Sequence, residues 1–244
     1  MRGEPGEAGG EFRTTHWSCV LQAGREGEPR AEEALDQLCQ VYWRPIYAFV
    51  RRRGYPAHEA EDLVQSFFLG LLRRKGLQRA DPAQGRFRAF LLTSLNHHLA
   101  NEWAKGQRLK RGGGALPISI DAQAEEERYL AEPADEASPE RLFERRWAEI
   151  VLERVTQRVR ADLVAAGQEQ RFEVLRGFLL GDAPGLSYDE AGRRLGLSIA
   201  AVTSAIHRLR SRYREFFLDE IARTVAEPAE VDDEIRYLAR ALAS

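Results

Sequence analysis

Apolar residues recur at steps of three and four along most of the chain, the period of helices that pack on one face. Thr14 or Thr15 can cap a short helix bearing Trp17, Val20 and Leu21. Residues 31–53 set Leu35, Leu38, Tyr42, Ile46, Phe49 and Val50 on one face, and Pro45 is expected to kink or divide that helix. Residues 57–74 carry the broadest stripe: Ala60, Leu63, Val64, Phe67, Phe68, Leu71 and Leu72. A loop over 76–86 leads to a helix with Phe87, Phe90, Leu91, Ser94, Leu95, His98 and Leu99 inward and Trp103 near its end. Ser138 and Pro139 read as a cap followed by proline at the first helical position, ahead of a long helix with Phe143, Trp147, Ile150, Val151, Val155, Val159 and Leu163. A shorter helix holds Phe172, Leu175, Phe178 and Leu179, and Val231, Ile235, Leu238 and Leu242 mark a final one. No strand pattern interrupts the series, so the expected fold class is all-α.

Residues 186–217 carry the sharpest local signals. Ser187 followed by Glu190 is a capping box, Gly196 sits where a left-handed cap residue is wanted, and Ser198 can cap a second helix. Val202, Ile206, Leu209 and Tyr213 form the inner stripe of that helix. Two capped helices joined by so tight a turn predict a helix-turn-helix. The opposite face presents Thr203, Ser204, His207, Arg208, Ser211 and Arg212, short polar groups and guanidiniums suited to base edges and phosphates. A packed helix pair with a solvated basic face is the plainer alternative.

Composition sharpens this picture through its segregation. The 244 residues carry a net charge of −2, yet residues 41–114 hold fourteen Lys/Arg against five Asp/Glu, and residues 115–140 hold one against eight. A basic block followed by an acidic one predicts this organisation: a disordered start over 1–13, a helical domain over 14–112, a flexible acidic linker over 113–138, a second helical domain with the helix-turn-helix over 139–226, and an extension with a short helix over 227–244. Cys19 and Cys39 have no metal-binding spacing and read as reduced thiols. No apolar run approaches a membrane span and the start is no signal peptide, so a soluble cytoplasmic protein without membrane contact is expected.

Candidate chemistry lies on the polar faces. Asp62, Gln65 and Leu69 share the outer face of the 57–74 helix, where a solvated surface is the bland account. Thr93, Asn96, His97, Asn101, Lys105 and Arg108 follow one another at helical steps beside aromatics, which suits an unpaired DNA strand. His98 and Glu102 lie one turn apart, but no further ligands support them and His98 falls on the apolar face, so no metal is expected. No nucleophile–base pair, P-loop or glycine-rich phosphate motif is present, so neither a cofactor nor an enzymatic activity is expected.

Three stretches, in order, resemble the extracytoplasmic-function (sigma-70-like) family of bacterial RNA polymerase sigma factors. HEAEDLVQSFFLGLLRR resembles the family's polymerase-binding helix, FRAFLLTSLNHHLANEWAKGQRLKR the helix that holds the promoter −10 element, and LSYDEAGRRLGLSIAAVTSAIHRLRSRYREFF the helix-turn-helix that binds the −35 element. The resemblance implies that Asp62, Gln65 and Leu69 dock on the β′ clamp helices of core polymerase. It implies that Gln78, Arg79 and Arg86, with Asn96, His97, Asn101, Lys105 and Arg108, accept the −10 strand. The second domain would contact the β flap and read −35 DNA through Ser198, Thr203, Ser204, His207, Arg208, Ser211 and Arg212. An anti-sigma or other regulator is a further implied partner. The chain departs from the family in its long linker, in the residues beyond Phe217, and at Thr203 and Ala205, where basic residues are common. A stand-alone helix-turn-helix regulator and a sigma-like adaptor that does not read promoters are the alternatives.

Overall fold

The structure, a computed structural model, describes residues 17–24, 29–73, 77–106, 122–131, 138–181 and 185–243. The described residues form an all-α fold of ten α-helices with short 3₁₀ turns between some of them. In chain order these are α1 (Trp17–Ala23), α2 (Pro29–Arg52), α3 (Ala57–Arg73), α4 (Phe87–Gly106), α5 (Ala122–Ala131), α6 (Pro139–Ala165), α7 (Glu169–Leu175), α8 (Tyr188–Leu195), α9 (Ile199–Ala222) and α10 (Val231–Ala243). The expectations for residues 1–13, the Thr14/Thr15 cap and the glycines at 112–114 lie outside the described residues.

Pro45 lies inside α2 without dividing it. Its ring removes one backbone hydrogen bond, but Ile46, Tyr47, Ala48, Phe49 and Val50 are completely buried, so packing holds the helix together on all sides. Ser138 accepts the Arg141 amide at 3.3 Å and Pro139 opens α6, as the sequence predicts. Cys19 and Cys39 are free and buried, and burial pushes the Cys39 thiol up to about 12.

Helix α6 contributes to two apolar cores. At 27 residues α6 is about 40 Å long at ~1.5 Å per residue, and its two halves serve different cores. Phe143, Trp147, Ile150 and Val151 pack with α1–α4, with Ile221 of α9 and with Leu238 of α10. Val155 and Val159 pack with Phe172, Leu175, Phe178, Ala191, Val202, Ile206, Leu209 and Tyr213. The interface of α2 with α6 is the most extensive between any two helices described. Tyr42 sits at its centre, stacked on Phe143 at 6.4 Å and edge-on to Phe87 at 5.5 Å. The two halves of the chain are thus joined through a common apolar core.

Within the stretch expected as a linker, one helix is described. Residues 122–131 form α5, which lies along α2. Glu126 accepts Arg51 Nε at 2.7 Å, Arg51 Nη2 at 2.6 Å and the Tyr47 hydroxyl at 2.7 Å. Glu125 is 1% exposed, with Arg146 Nε at 3.2 Å, Arg128 Nη1 at 3.5 Å and Arg44 Nε at 3.9 Å. Acidity that reads as solvated is matched by arginines of α2, α5 and α6.

Candidate functional site

The α8–α9 turn is built from the backbone outward. Ser187 caps α8 by accepting the Glu190 amide at 3.1 Å. The reciprocal half of the expected capping box is absent, because the Glu190 carboxylate pairs with Arg193 at 2.9 Å and Arg194 at 3.1 Å. Gly196 adopts φ 65°, ψ 32°, the left-handed cap the sequence predicts, and the Leu197 amide returns to the Gly192 carbonyl at 2.9 Å. Gly192 carries the second constraint, which periodicity does not reveal. A Cβ there would lie 2.6 Å from the Leu197 carbonyl oxygen, so the turn closes onto the bare backbone of α8. Ser198 then caps α9 by accepting the Ala201 amide at 3.3 Å.

The outer face of α9 exposes Thr203, Ser204, His207, Arg208 and Ser211 in one band, with Ser198 exposed at its start. The Thr203 and Ser204 hydroxyls donate to the carbonyls of Ile199 and Ala200 at 3.0 Å, leaving their lone pairs outward. Arg208 makes no hydrogen bond or ion pair with another described residue. Arg212 is turned to the protein's own surface. Asp162 accepts its Nε at 3.1 Å and its Nη2 at 2.8 Å, Glu215 takes Nη1 at 3.1 Å, and the guanidinium lies 4.8 Å from the Phe216 ring centre. Arg210 is likewise turned to the protein, donating to the carbonyls of Phe178 and Gly181 at 2.8 Å. Ala205 is buried at 4% exposure, so its small side chain belongs to the core and not to the outer face. Beside this band a groove of about 290 Å³ opens between α6, α7 and α9, with Leu163, Leu175 and Leu209 in its wall and Arg171, Arg208 and Arg212 around it.

On α4 the exposed side chains Asn96, His97 and Asn101 form a second polar band, ending beside Trp103 at 65% exposure. Asn96 Oδ1 accepts Arg53 Nη2 at 2.7 Å, which couples this band to α2. His98 stands behind it, half-buried, with Nε2 2.9 Å from Ser66 Oγ and its ring edge-on to Phe67 at 5.7 Å, as expected for a histidine that packs. Among the described residues no group of three or more His, Cys, Asp or Glu is arranged to hold a metal. Gln78 is exposed in the turn before α4, whereas the side chains of Arg79 and Lys105, and all of Arg108, lie outside the described residues. On α3, Asp62 is exposed and Gln65 and Leu69 are half-buried on the same side.

Comparison with known proteins bears on both bands. Residues 38–109, from α2 through α4, match the family model described as Sigma-70 region 2. The chain is 28% identical over 198 residues to the ECF RNA polymerase sigma factor SigE of Mycolicibacterium smegmatis, covering 81% of this chain and 67% of that protein. It is 27% identical over 196 residues to the RNA polymerase sigma-H factor of Pseudomonas aeruginosa, covering 78% and 88%. Residues 38–109 thus resemble a sigma-70 region 2, and most of the chain is similar to RNA polymerase sigma factors, one of them of the ECF type. No solved structure matches it.

The start of α4 is occupied in a way the sequence does not announce. Arg86, expected on the DNA side, directs Nε to Glu234 Oε2 at 2.8 Å and stacks 4.9 Å from the Tyr237 ring. Arg88 is 3% exposed and donates through both terminal nitrogens to Glu234, with Nη2–Oε2 at 2.9 Å. Its Nε lies 3.0 Å from Glu144 Oε2, and its guanidinium is held between Trp147 at 4.4 Å and Tyr237 at 4.5 Å. Burial, with Glu144 beside it, pushes the Tyr237 hydroxyl up to about 12. An arginine in a helical first turn reads as surface, which is why Arg88 is missed. Among the described residues no helix is long and apolar enough to cross a membrane.

Proposed function

We propose that this chain is a sigma factor that binds core RNA polymerase through the outer face of α3 and directs initiation by holding the two promoter elements on α4 and α9. Asp62, Gln65 and Leu69 engage the β′ clamp helices. Asn96, His97 and Asn101, with Trp103 as a stacking surface, take unpaired −10 bases. The α8–α9 pair acts as a helix-turn-helix, and Thr203, Ser204, His207, Arg208 and Ser211 face −35 DNA. The groove beside α9, apolar inside and cationic around it, is the surface offered to the β flap. Polymerase supplies the chemistry of RNA synthesis, so the role asks for no catalytic group in this chain.

The observation that carries this reading is the Sigma-70 region 2 match over the same helices that expose the Asp62 and Asn96–Asn101 bands. The test mixes the protein with core polymerase and genomic DNA fragments and maps transcript starts. Starts at defined promoters are expected. DNA retention without core would instead mark a stand-alone regulator, and core binding without defined starts an adaptor.

A further inference from the structure

The side-chain amide of Asn96 is held in one of its two orientations. Arg53 Nη2 donates to Asn96 Oδ1 at 2.7 Å, linking the end of α2 to α4. A guanidinium has hydrogens and no acceptor, so the amide atom that meets it must be the oxygen. Arg53 itself has little freedom. Its backbone amide bonds the Phe49 and Val50 carbonyls at 3.1 Å, Gly54 turns the chain away at φ 94°, and the guanidinium lies 5.1 Å from the Phe49 ring centre. Glu140, at the start of α6, stands 3.5 Å from the same Nη2 and balances its charge. Asn96 is exposed, and its Nδ2 makes no hydrogen bond with a described residue. The group left for a ligand is the Nδ2 amino, a double donor.

A free asparagine reads adenine through both branches of its amide, accepting from N6–H and donating to N7. That pairing needs the oxygen that Arg53 occupies. A donor alone is served best by two acceptors side by side, which guanine offers at O6 and N7 and cytosine at O2 and N3. On the Watson–Crick and Hoogsteen edges of adenine each acceptor stands beside the N6 hydrogens, which meet the Asn96 amino group with like polarity. We infer that Arg53 is a positioning residue: it fixes Asn96 as a donor, so the unpaired base that meets Asn96 is selected for guanine or cytosine and against adenine. The inference rests on the −10 role proposed for α4 and states what one residue of that band selects. Arg53 acts through Asn96 and need not touch the strand.

The test uses the full chain with core polymerase and a promoter library randomised across the −10 element. Each promoter is linked to a transcribed barcode, so sequencing the transcripts reports base preference position by position. The unsubstituted chain is compared with Arg53→Met, which keeps bulk but cannot donate, and with Asn96→Ala. At one position the unsubstituted chain is expected to disfavour adenine about tenfold, and both variants to bring adenine within about twofold of guanine and cytosine at that position alone. A lost attraction between Arg53 and phosphate would instead lower output uniformly; that result with base preference unchanged would overturn the inference. A position that Asn96→Ala alters, but at which the unsubstituted chain accepts adenine freely, would overturn it even if Arg53→Met did not fold. Nitrogen-15 relaxation of the Asn96 side-chain amide, on the chain without polymerase, reports the contact directly. The group is expected to be rigid in the unsubstituted chain and mobile in Arg53→Met, and mobility in the unsubstituted chain would count against the inference. A rigid amide together with no defined transcript starts would leave the fixed orientation standing and remove the promoter reading.

Discussion

Arg88 and Glu234 lie 146 positions apart and meet in a doubly hydrogen-bonded, buried ion pair clasped by two aromatic rings. Guanidinium and carboxylate match in plane and spacing, and the flanking rings take the guanidinium faces that water would otherwise hydrate. Half-removal is costly for such a pair, since the survivor stays buried without a partner.

The α3 face can be tested apart from stability. Asp62 is exposed and makes no ion pair with another described residue, and Gln65 stands outside the buried stripe of Ala60, Val64, Phe67 and Phe68. Asp62→Arg with Gln65→Ala is expected to abolish co-elution with core polymerase in size-exclusion chromatography. The thermal melt should move by less than a few degrees, since surface changes usually alter stability by about 0.5 kcal/mol or less.

On α9, Arg208 is a long outward side chain with no described partner, and it stands beside His207. A bidentate arginine–guanine contact is worth ~1–3 kcal/mol of discrimination. Arg208→Ala should therefore reduce transcription from preferred promoters about tenfold or more while hardly changing output from promoters with an altered −35 sequence. Arg212→Ala should act differently. Its guanidinium is committed to Asp162, so the variant should leave −35 preference intact in the same promoter series, and any effect should be uniform across sequences.

Gly192 and Gly196 give opposed readings of one turn. Alanine at 196 must adopt a left-handed backbone, a strain of ~1–2 kcal/mol. Alanine at 192 gains helix propensity but drives its Cβ into the Leu197 carbonyl at 2.6 Å, where backbone and not a flexible side chain must give way. Gly192→Ala is expected to cost at least as much, ~1–3 kcal/mol as overpacking does, and to lower −35 duplex binding with it. Denaturant melts of the two variants decide the order.

The seating of α5 should respond to acid. Hydrogen bonds from Arg51, foremost, and from Tyr47 hold the Glu126 carboxyl below its usual range. A depressed folded value adds stability that is complete above the unfolded value near 4.5 and is lost as pH falls through the folded one. Burial holds Glu125 above the usual range, and its contribution has the opposite sign. The substitution Glu126→Gln isolates the first effect. Amide exchange over residues 122–131 should be faster in the variant at neutral pH, and the difference from the unsubstituted chain should shrink as pH drops below about 4.5.

Residues whose roles are local were legible in the sequence. Val64, Phe67 and Leu71 announce the inner face of α3 because helical period alone selects them, and Ser187, Gly196 and Ser198 announce the α8–α9 turn because caps act within four residues. The Asn96, His97 and Asn101 band was legible for the same reason. Arg88, Glu125 and Glu234 were not, because a charged residue on a polar stretch reads as solvated until its distant partner is known. Arg212 falls between the two: its helical position was right, but Asp162, fifty positions earlier, decides where it points. Gly192 was hidden for a different reason, since a close backbone approach leaves no mark on hydrophobic period.

The state of the two thiols has a practical side. Cys39 is wholly buried with its thiol pushed up to about 12, and Cys19, 5% exposed, points its sulfur at the Ala34 carbonyl at 3.2 Å. Reactivity toward oxidants and alkylating agents follows the thiolate and its access to solvent, and neither cysteine offers both. Neither thiol of the folded chain is therefore readily alkylated or oxidised. That inertness makes the native chain a clean background for labelling. One cysteine introduced at Ser211 and another at Thr93 would take maleimide dyes selectively, and the distance between the outer faces of α4 and α9 could be followed in real time as core polymerase is added.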